Sequence, residues 1–298
     1  MKSNIVPRFF ITFILIVICA AWTLPTAGIL VTSFRTKDAA SRNGWWQAIF
    51  SPSEFTLDNY AQVLGGQRFS VADENGNKVT MHGASMKSAF LSTLTVTIPS
   101  VIIPIFIAAA AAYGFAWLQF PGRRIMFAII IALLVVPLQI SLIPVLRDYQ
   151  KIGLNGSYLG VWLAHTGFGL PLATYMLFNS ISAVPRSVLE SAFIDGASHF
   201  SCFMQIIIPL CVPALASFAI FQFIWVWNDL LVSLVFLSGG GQSMEVVTVR
   251  LMNMAGTRGT DWHLLTAGAF VSMILPLVVF LSLQRYFVRG LLAGSVKG

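Results

Sequence analysis

The stretch Glu190-Ser191-Ala192-Phe193-Ile194-Asp195-Gly196-Ala197, closed by Ile206-Ile207-Ile208-Pro209, is polar and helix-compatible, yet it lies between two apolar runs. Pro185 suits the first turn of a helix, and Ser187 followed three residues later by Glu190 matches a capping box, so a helix is expected to begin here. Val188, Ala192 and Phe193 give it an apolar side, while Arg186, Glu190 and Asp195 keep the other side wet. Gly196 is the expected stop, because a left-handed terminal residue costs glycine nothing. A second helical run over 198–207 should end where Pro209 and Pro213 bend the chain. The predicted product is a helix, a glycine corner and another helix lying along a membrane face. Taken on residues alone it is either a docking element or an amphipathic connector.

The membrane follows from composition. Of 298 residues, 57% are hydrophobic and only 10% charged, with a mean hydropathy of +0.81, which leaves too few polar groups to coat a soluble globule. The net charge of +7 comes from basic residues scattered among the connections, so anionic headgroups explain it better than nucleic acid does. Cys19, Cys202 and Cys211 form no CxxC pair and sit in or beside apolar runs, as small core residues rather than a disulfide framework or metal site.

A spanning helix needs about 20 apolar residues, because hydrocarbon satisfies no exposed backbone group. Six runs qualify, at 9–31, 88–118, 125–146, 158–179, 212–237 and 264–283, and they predict an all-α protein with a single transmembrane domain over 1–298. The first run is too long for the h-region of a signal peptide and lacks an A-x-A site. Outside the long connection 32–87, Lys2, Arg8, Arg123, Arg124, Arg186, Arg285, Arg289 and Lys297 fall on one side, against Arg147, Lys151, Arg250 and Arg258 on the other. That asymmetry predicts both termini inside and the 180–209 loop on the inner face. The 32–87 connection is then an outer insertion in which 68–72 and 78–81 flank the turn residues Asn75 and Gly76 as a hairpin.

The spacing E-S-A-(x3)-G-(x9)-I-x-I-P resembles the EAA loop of ABC-importer permeases, whose pattern reads EAA-(x3)-G-(x9)-I-x-LP. Glu190, Ala192, Gly196, Ile206 and Pro209 fall on its positions; Ser191 and Ile208 are small departures. The segment Phe55-Thr56-Leu57-Asp58-Asn59-Tyr60 and the ending from Gln284 to Gly298 look like the carbohydrate-uptake branch, most closely the maltose-type second permease subunit. Within it, Leu163-Ala164-His165-Thr166-Gly167-Phe168-Gly169-Leu170-Pro171 and Trp225-Val226-Trp227-Asn228-Asp229-Leu230 look like α-glucoside systems.

The resemblance implies the type I permease fold and a multi-pass subunit of a bacterial inner membrane. It implies four kinds of partner: a second homologous permease, two copies of a cytoplasmic ATPase, an extracytoplasmic solute-binding protein and a sugar. The chain contains no GxxxxGK[ST], so ATP and Mg belong to the ATPase subunits, with no cofactor, metal or catalytic residue expected here. ATP-driven closure of the ATPases would move the 180–209 loop as a lever. In that lever Glu190 would pair with a basic ATPase residue, Ala192 and Ala197 would allow close approach, Asp195 would add a contact and Gly196 would set the angle, with Ser191 and Pro209 also among the coupling residues. Glu190 and Asp195 each keep a purely local reading, as a capping acceptor and as a charge at a helix end.

A sugar path needs hydrogen-bonding groups and aromatic faces within the spans, and Gln139, His165, Gln222, Trp225, Trp227, Asn228 and Asp229 supply them. Asp229 is either a path residue or a structural hydrogen-bond acceptor, and His165 is expected to be a satisfied interior histidine. In the 238–263 loop, Ala255, Gly256, Thr257, Arg258 and Gly259 would reach a binding protein or form a solvated turn, and the 295–297 tail would touch the ATPase or fray. The alternative within the class is a permease for phosphorylated or sulfonated polyols or sugars. A membrane-embedded enzyme fits poorly, because the chain has no GxSxG, no HExxH and no intramembrane carboxylate pair.

Overall fold

The computed structural model describes residues 8–66, 68–72, 78–82, 85–254 and 261–293. α1 (Arg8–Ser33) leads into α2 (Lys37–Arg42), the 3₁₀ turns Trp45–Phe50 and Pro52–Glu54, and α3 (Asp58–Gly65). The strands β1 (Arg68–Ala72) and β2 (Lys78–His82) pair antiparallel with Arg68 opposite His82, which is the expected hairpin; Asn75 and Gly76 lie outside the described residues. α4 (Met86–Trp117), α5 (Arg123–Ala132), α6 (Leu138–Lys151) and α7 (Tyr158–Ser182) follow. Then come α8 (Arg186–Ile194), α9 (His199–Cys202), a π-helical turn over Phe203–Ile207, α10 (Ile208–Leu210), α11 (Val212–Trp227), α12 (Leu231–Leu237), α13 (Val247–Met254) and α14 (Trp262–Ala293).

Among the described residues, α1, α4 and α14 are each long and apolar enough to cross a bilayer unaided. Of the other runs, 158–179 lies within the unbroken α7, whereas 125–146 and 212–237 are interrupted. The 125–146 run was expected to be one helix, but a 3₁₀ turn at Leu133–Val135 is followed by extended Val136 and Pro137, and the axes of the two halves meet at 105°. Proline explains the break: it disfavours helical geometry in the residue before it and lacks the N–H that would continue the ladder. The 212–237 run is likewise two helices, α11 and α12, parted at Asn228-Asp229-Leu230. The Asp229 carboxylate accepts the backbone N–H groups of Val232 at 3.3 Å and Ser233 at 2.9 Å, and so starts a helix where the apolar pattern alone predicts continuity.

The Cα framework forms two compact units. One holds the chain up to Ser88 together with Arg250–Met273. In it the buried Arg35 donates to Glu54 Oε2 at 2.9 Å and to the Asn43 carbonyl at 3.0 Å. Asn59 Nδ2 donates to the carbonyls of Ser33 and Arg35, and the Tyr60 and Ser33 hydroxyls are 2.7 Å apart. The Asp58-Asn59-Tyr60 segment therefore ties down the end of α1, and Arg35 tolerates burial because its guanidinium is supplied with acceptors. Lys37 Nζ lies 2.8 Å from Asp261 Oδ1, and this charged hydrogen bond and the carboxylate's attraction raise the lysine above its usual value. Most of α1 is bare, with Phe9 and Trp22 each 81% exposed.

The second unit, Ala89–Val249 with the chain from Ile274, has two apolar cores. One gathers Ala108, Ala109, Ala112 and Tyr113 of α4, Leu177 and Ile181 of α7, Leu189 of α8, and Cys202, Ile207, Cys211 and Phe218. Its alanines let helices approach closely, as membrane bundles require. The other joins Val96, Val161, Val226, Val232, Phe236 and Val246.

Candidate functional site

The polar lobe begins at α8, and its start differs from the expected capping box. Pro185 occupies the cap position and no side chain caps the helix, so Ser187 lies inside the first turn. Proline at that boundary has already set the entry, leaving nothing for Ser187 to close. Its hydroxyl therefore gives Glu190 no reciprocal partner, and the exposed Glu190 carboxylate makes no hydrogen bond or ion pair among the described residues. Leu189 is fully buried and anchors α8, with Val188 and Ala192 packed beside it, whereas Ile194 is 87% exposed. Ser191, Asp195 and Gly196 are exposed and Ala197 is half-buried.

The corner after α8 is a Schellman motif. Gly196 has φ +85°, its N–H donates to the Phe193 carbonyl at 3.1 Å, and the Ala197 N–H donates to the Ala192 carbonyl at 2.9 Å. Both bonds satisfy carbonyls that the helix end leaves open, so the angle between α8 and α9 is defined by backbone geometry. Ser198 then caps α9 by accepting the Ser201 N–H at 3.2 Å. The helical path runs through the π turn and Pro209 to Leu210, then bends by 72° into α11. The expected second run stopped at 207. It extends because Ile207 and Ile208 keep helical backbone, and the wider π turn just before Pro209 accommodates a residue that lacks an N–H for the ladder.

A cavity of 860 Å³ opens beside the break between α11 and α12. Gln139, Trp225, Asn228 and Asp229 line it, with Ser141, Phe168 and the apolar Leu133, Leu138 and Leu231. Four of the seven path candidates thus meet. The other three do not face it. Gln222 is buried, donating to the Ser100 carbonyl at 3.2 Å and reaching the His165 carbonyl at 3.5 Å; Gly169 makes room, since a Cβ there would lie 2.7 Å from Gln222 Nε2. Trp227 is buried, stacked on Phe223 and edge-on to Phe90.

His165 is fully buried, but it is not the satisfied histidine expected. Neither ring nitrogen has a hydrogen bond, Nε2 stands 3.7 Å from Asp229 Oδ2, and the ring meets Trp225 edge-on at 5.4 Å. The nearest carboxylate oxygen is already held by the Ser233 N–H. Ala255, Gly256, Thr257, Arg258 and Gly259 lie outside the described residues, as does the tail from residue 294.

Sequence reasoning missed Leu189, although its spacing with Ala192 and Phe193 carried a helical signal. It also missed Ser141, and the contact of Tyr113 with His199 (Oη to Nδ1, 3.0 Å), for which no local pattern exists.

Residues 100–292, which include the lobe and every residue lining the cavity, match the family described as binding-protein-dependent transport system inner membrane component. The chain belongs to that family. It is 51% identical over 286 residues, 95% of this chain and 90% of the other, to an osmoprotective compounds uptake permease protein of Synechocystis sp.. It is 42% identical to an alpha-glucoside transport system permease protein of Rhizobium meliloti, covering 93% of this chain and 94% of the relative. A solved bacterial alginate ABC transporter, in complex with an alginate pentasaccharide-bound periplasmic protein, has a chain of the same fold: TM-score 0.62 at 14% identity over 92% of each chain. As an inner membrane transport component, this chain has the type I permease fold that the EAA-like spacing implied.

Proposed function

We propose that this family member is one of two permease subunits in a binding-protein-dependent ABC importer for an uncharged sugar, oligosaccharide or glycoside. A second, homologous permease completes the path. Two copies of a cytoplasmic ATPase carry ATP and Mg, an extracytoplasmic solute-binding protein delivers substrate, and both termini are cytoplasmic. The six crossings are α1, α4, α14 and the runs 125–146, 158–179 and 212–237, with α8 outside the membrane.

The observation that carries the reading is an elbow bearing Glu190, which has no partner among the described residues. An exposed carboxylate and an 87% exposed Ile194 stand on a helix anchored by Leu189 and ended by a Schellman corner, which suits insertion into a cleft of another subunit. Glu190 supplies the charge, Ser191, Ala192 and Ala197 the close approach, Asp195 a peripheral contact, and Gly196 and Pro209 the angles. The absence of a capping box at α8 supports the docking reading of Glu190.

The cavity supports an uncharged substrate. Among the described residues no Lys, Arg or His lines it, and the one carboxylate there is held by the start of α12. A phosphorylated or sulfonated sugar would meet no counter-charge there, whereas Gln139, Ser141 and Asn228 can bond hydroxyls against the face of Trp225. The name of one relative, an alpha-glucoside transport system permease protein, supports the same class.

The test is the reconstituted complex, assayed for ATP hydrolysis and uptake across a sugar panel with and without binding protein. Glu190→Ala combined with Gly196→Pro should lower substrate imported per ATP about tenfold or more, equivalent to about 1.4 kcal/mol of lost coupling, while the chain still inserts. Uptake at the wild-type ratio would remove the lever assignment.

A further inference from the structure

We infer that His199 is a positioning residue that ties the α8 elbow to α4, so that movement of α8 reaches α4 through side chains as well as along the backbone. The inference rests on the coupling reading of the lobe. Its basis is a chain of contacts across the glycine corner. Phe193, in the last turn of α8, meets the His199 ring edge-on with centroids 4.8 Å apart at 64°. His199 Nδ1 lies 3.0 Å from the hydroxyl of Tyr113, which is buried near the C-terminal end of α4. Tyr113 in turn packs on Phe203 at 5.3 Å, in the π turn that follows α9.

Such a clamp reinforces the corner. Gly196 is exposed and a Cβ there would meet nothing within 4 Å, so at the glycine itself two backbone bonds hold the turn, beside the core packing that Leu189 and Cys202 share. A ring just after the corner, edge-on to a ring just before it, bridges the corner on its exposed side. The hydrogen bond to Tyr113 then joins the closed elbow to the core of Ala109, Ala112 and Cys202. A push on α8 then reaches α4 through His199 and Tyr113 as well as through the core contact of Leu189.

Three variants in the complete reconstituted transporter separate the parts. His199→Phe keeps a ring and loses the hydrogen bond; Tyr113→Phe removes its other half; His199→Asn offers an amide near the Nδ1 position. His199→Phe and Tyr113→Phe should each lower substrate imported per ATP by about three- to tenfold, the scale of one lost hydrogen bond, and by more than they lower the ATPase rate. His199→Asn should recover most of that ratio, and all three should keep a thermal midpoint near wild type. A wild-type ratio in both His199→Phe and Tyr113→Phe would overturn the inference. So would a ratio that falls only alongside the thermal midpoint, with no recovery in His199→Asn, because that is the mark of a purely structural contact. The Glu190→Ala, Gly196→Pro variant is the control. If it uncouples and the His199 and Tyr113 variants do not, the clamp alone fails; if it transports normally, the coupling reading fails.

Discussion

Gly167 and Gly169 stand two residues apart on α7, yet their substitution to alanine should have opposite results. A Cβ at Gly167 meets nothing within 4 Å, so Gly167→Ala should be neutral or stabilise the helix by up to about 1 kcal/mol. A Cβ at Gly169 would press on the Gln222 amide, which is committed to the Ser100 carbonyl, so Gly169→Ala should cost about 1–3 kcal/mol. Thermal unfolding of the two variants in detergent, read side by side, checks the contrast, and equal midpoints would contradict it. The same bond explains why Gln222 fails as a path residue. A polar side chain inside a span needs a partner, and a carbonyl of a neighbouring helix serves as well as a substrate hydroxyl.

The informative features among the helices are their interruptions. Pro137 and Asp229 each end an apolar run that would otherwise read as one span, and the cavity lies beside both breaks. This follows a general constraint: irregular backbone at membrane depth is tolerated where it lines a cavity or is buried in protein. Asp229 is therefore a capping residue whose chain position also brings it to the cavity wall. Asp229→Asn, which retains a capping oxygen, should hold both the thermal midpoint and uptake near wild type. Asp229→Ala should cost about 0.5–2 kcal/mol, as lost caps do. Loss of uptake in the asparagine variant, with stability intact, would instead assign the charge itself to the substrate path.

At the scale of the whole molecule, the decisive question is which side of the bilayer each polar segment faces. In a Cys19→Ser background, Ser191→Cys should react with a membrane-impermeant maleimide in inverted vesicles and be protected in intact cells. Gln62→Cys, an exposed position in the 32–87 insertion, should do the reverse. Cys202 and Cys211 are buried and should stay silent in both. Labelling of Ser191→Cys from outside would end the lever interpretation, because the proposed ATPase partners are cytoplasmic.

Much of this was legible because the governing interactions are local or compositional. Membrane class follows from counting apolar residues, and the elbow follows from Gly196, since only a left-handed residue closes a helix in that way. The hairpin follows from alternation on either side of Asn75-Gly76. What the chain order could not disclose depends on residues distant in sequence. Gln222 reads as a path residue until Ser100, 122 positions away, takes its amide. Trp227 reads as a sugar platform until Phe90 covers it, and His199 gains meaning only from Tyr113. A side chain's polarity is written in its own letter, but its partner is chosen by packing. In a bundle where several polar groups compete for few acceptors, only the folded arrangement decides which of them are left to meet a ligand.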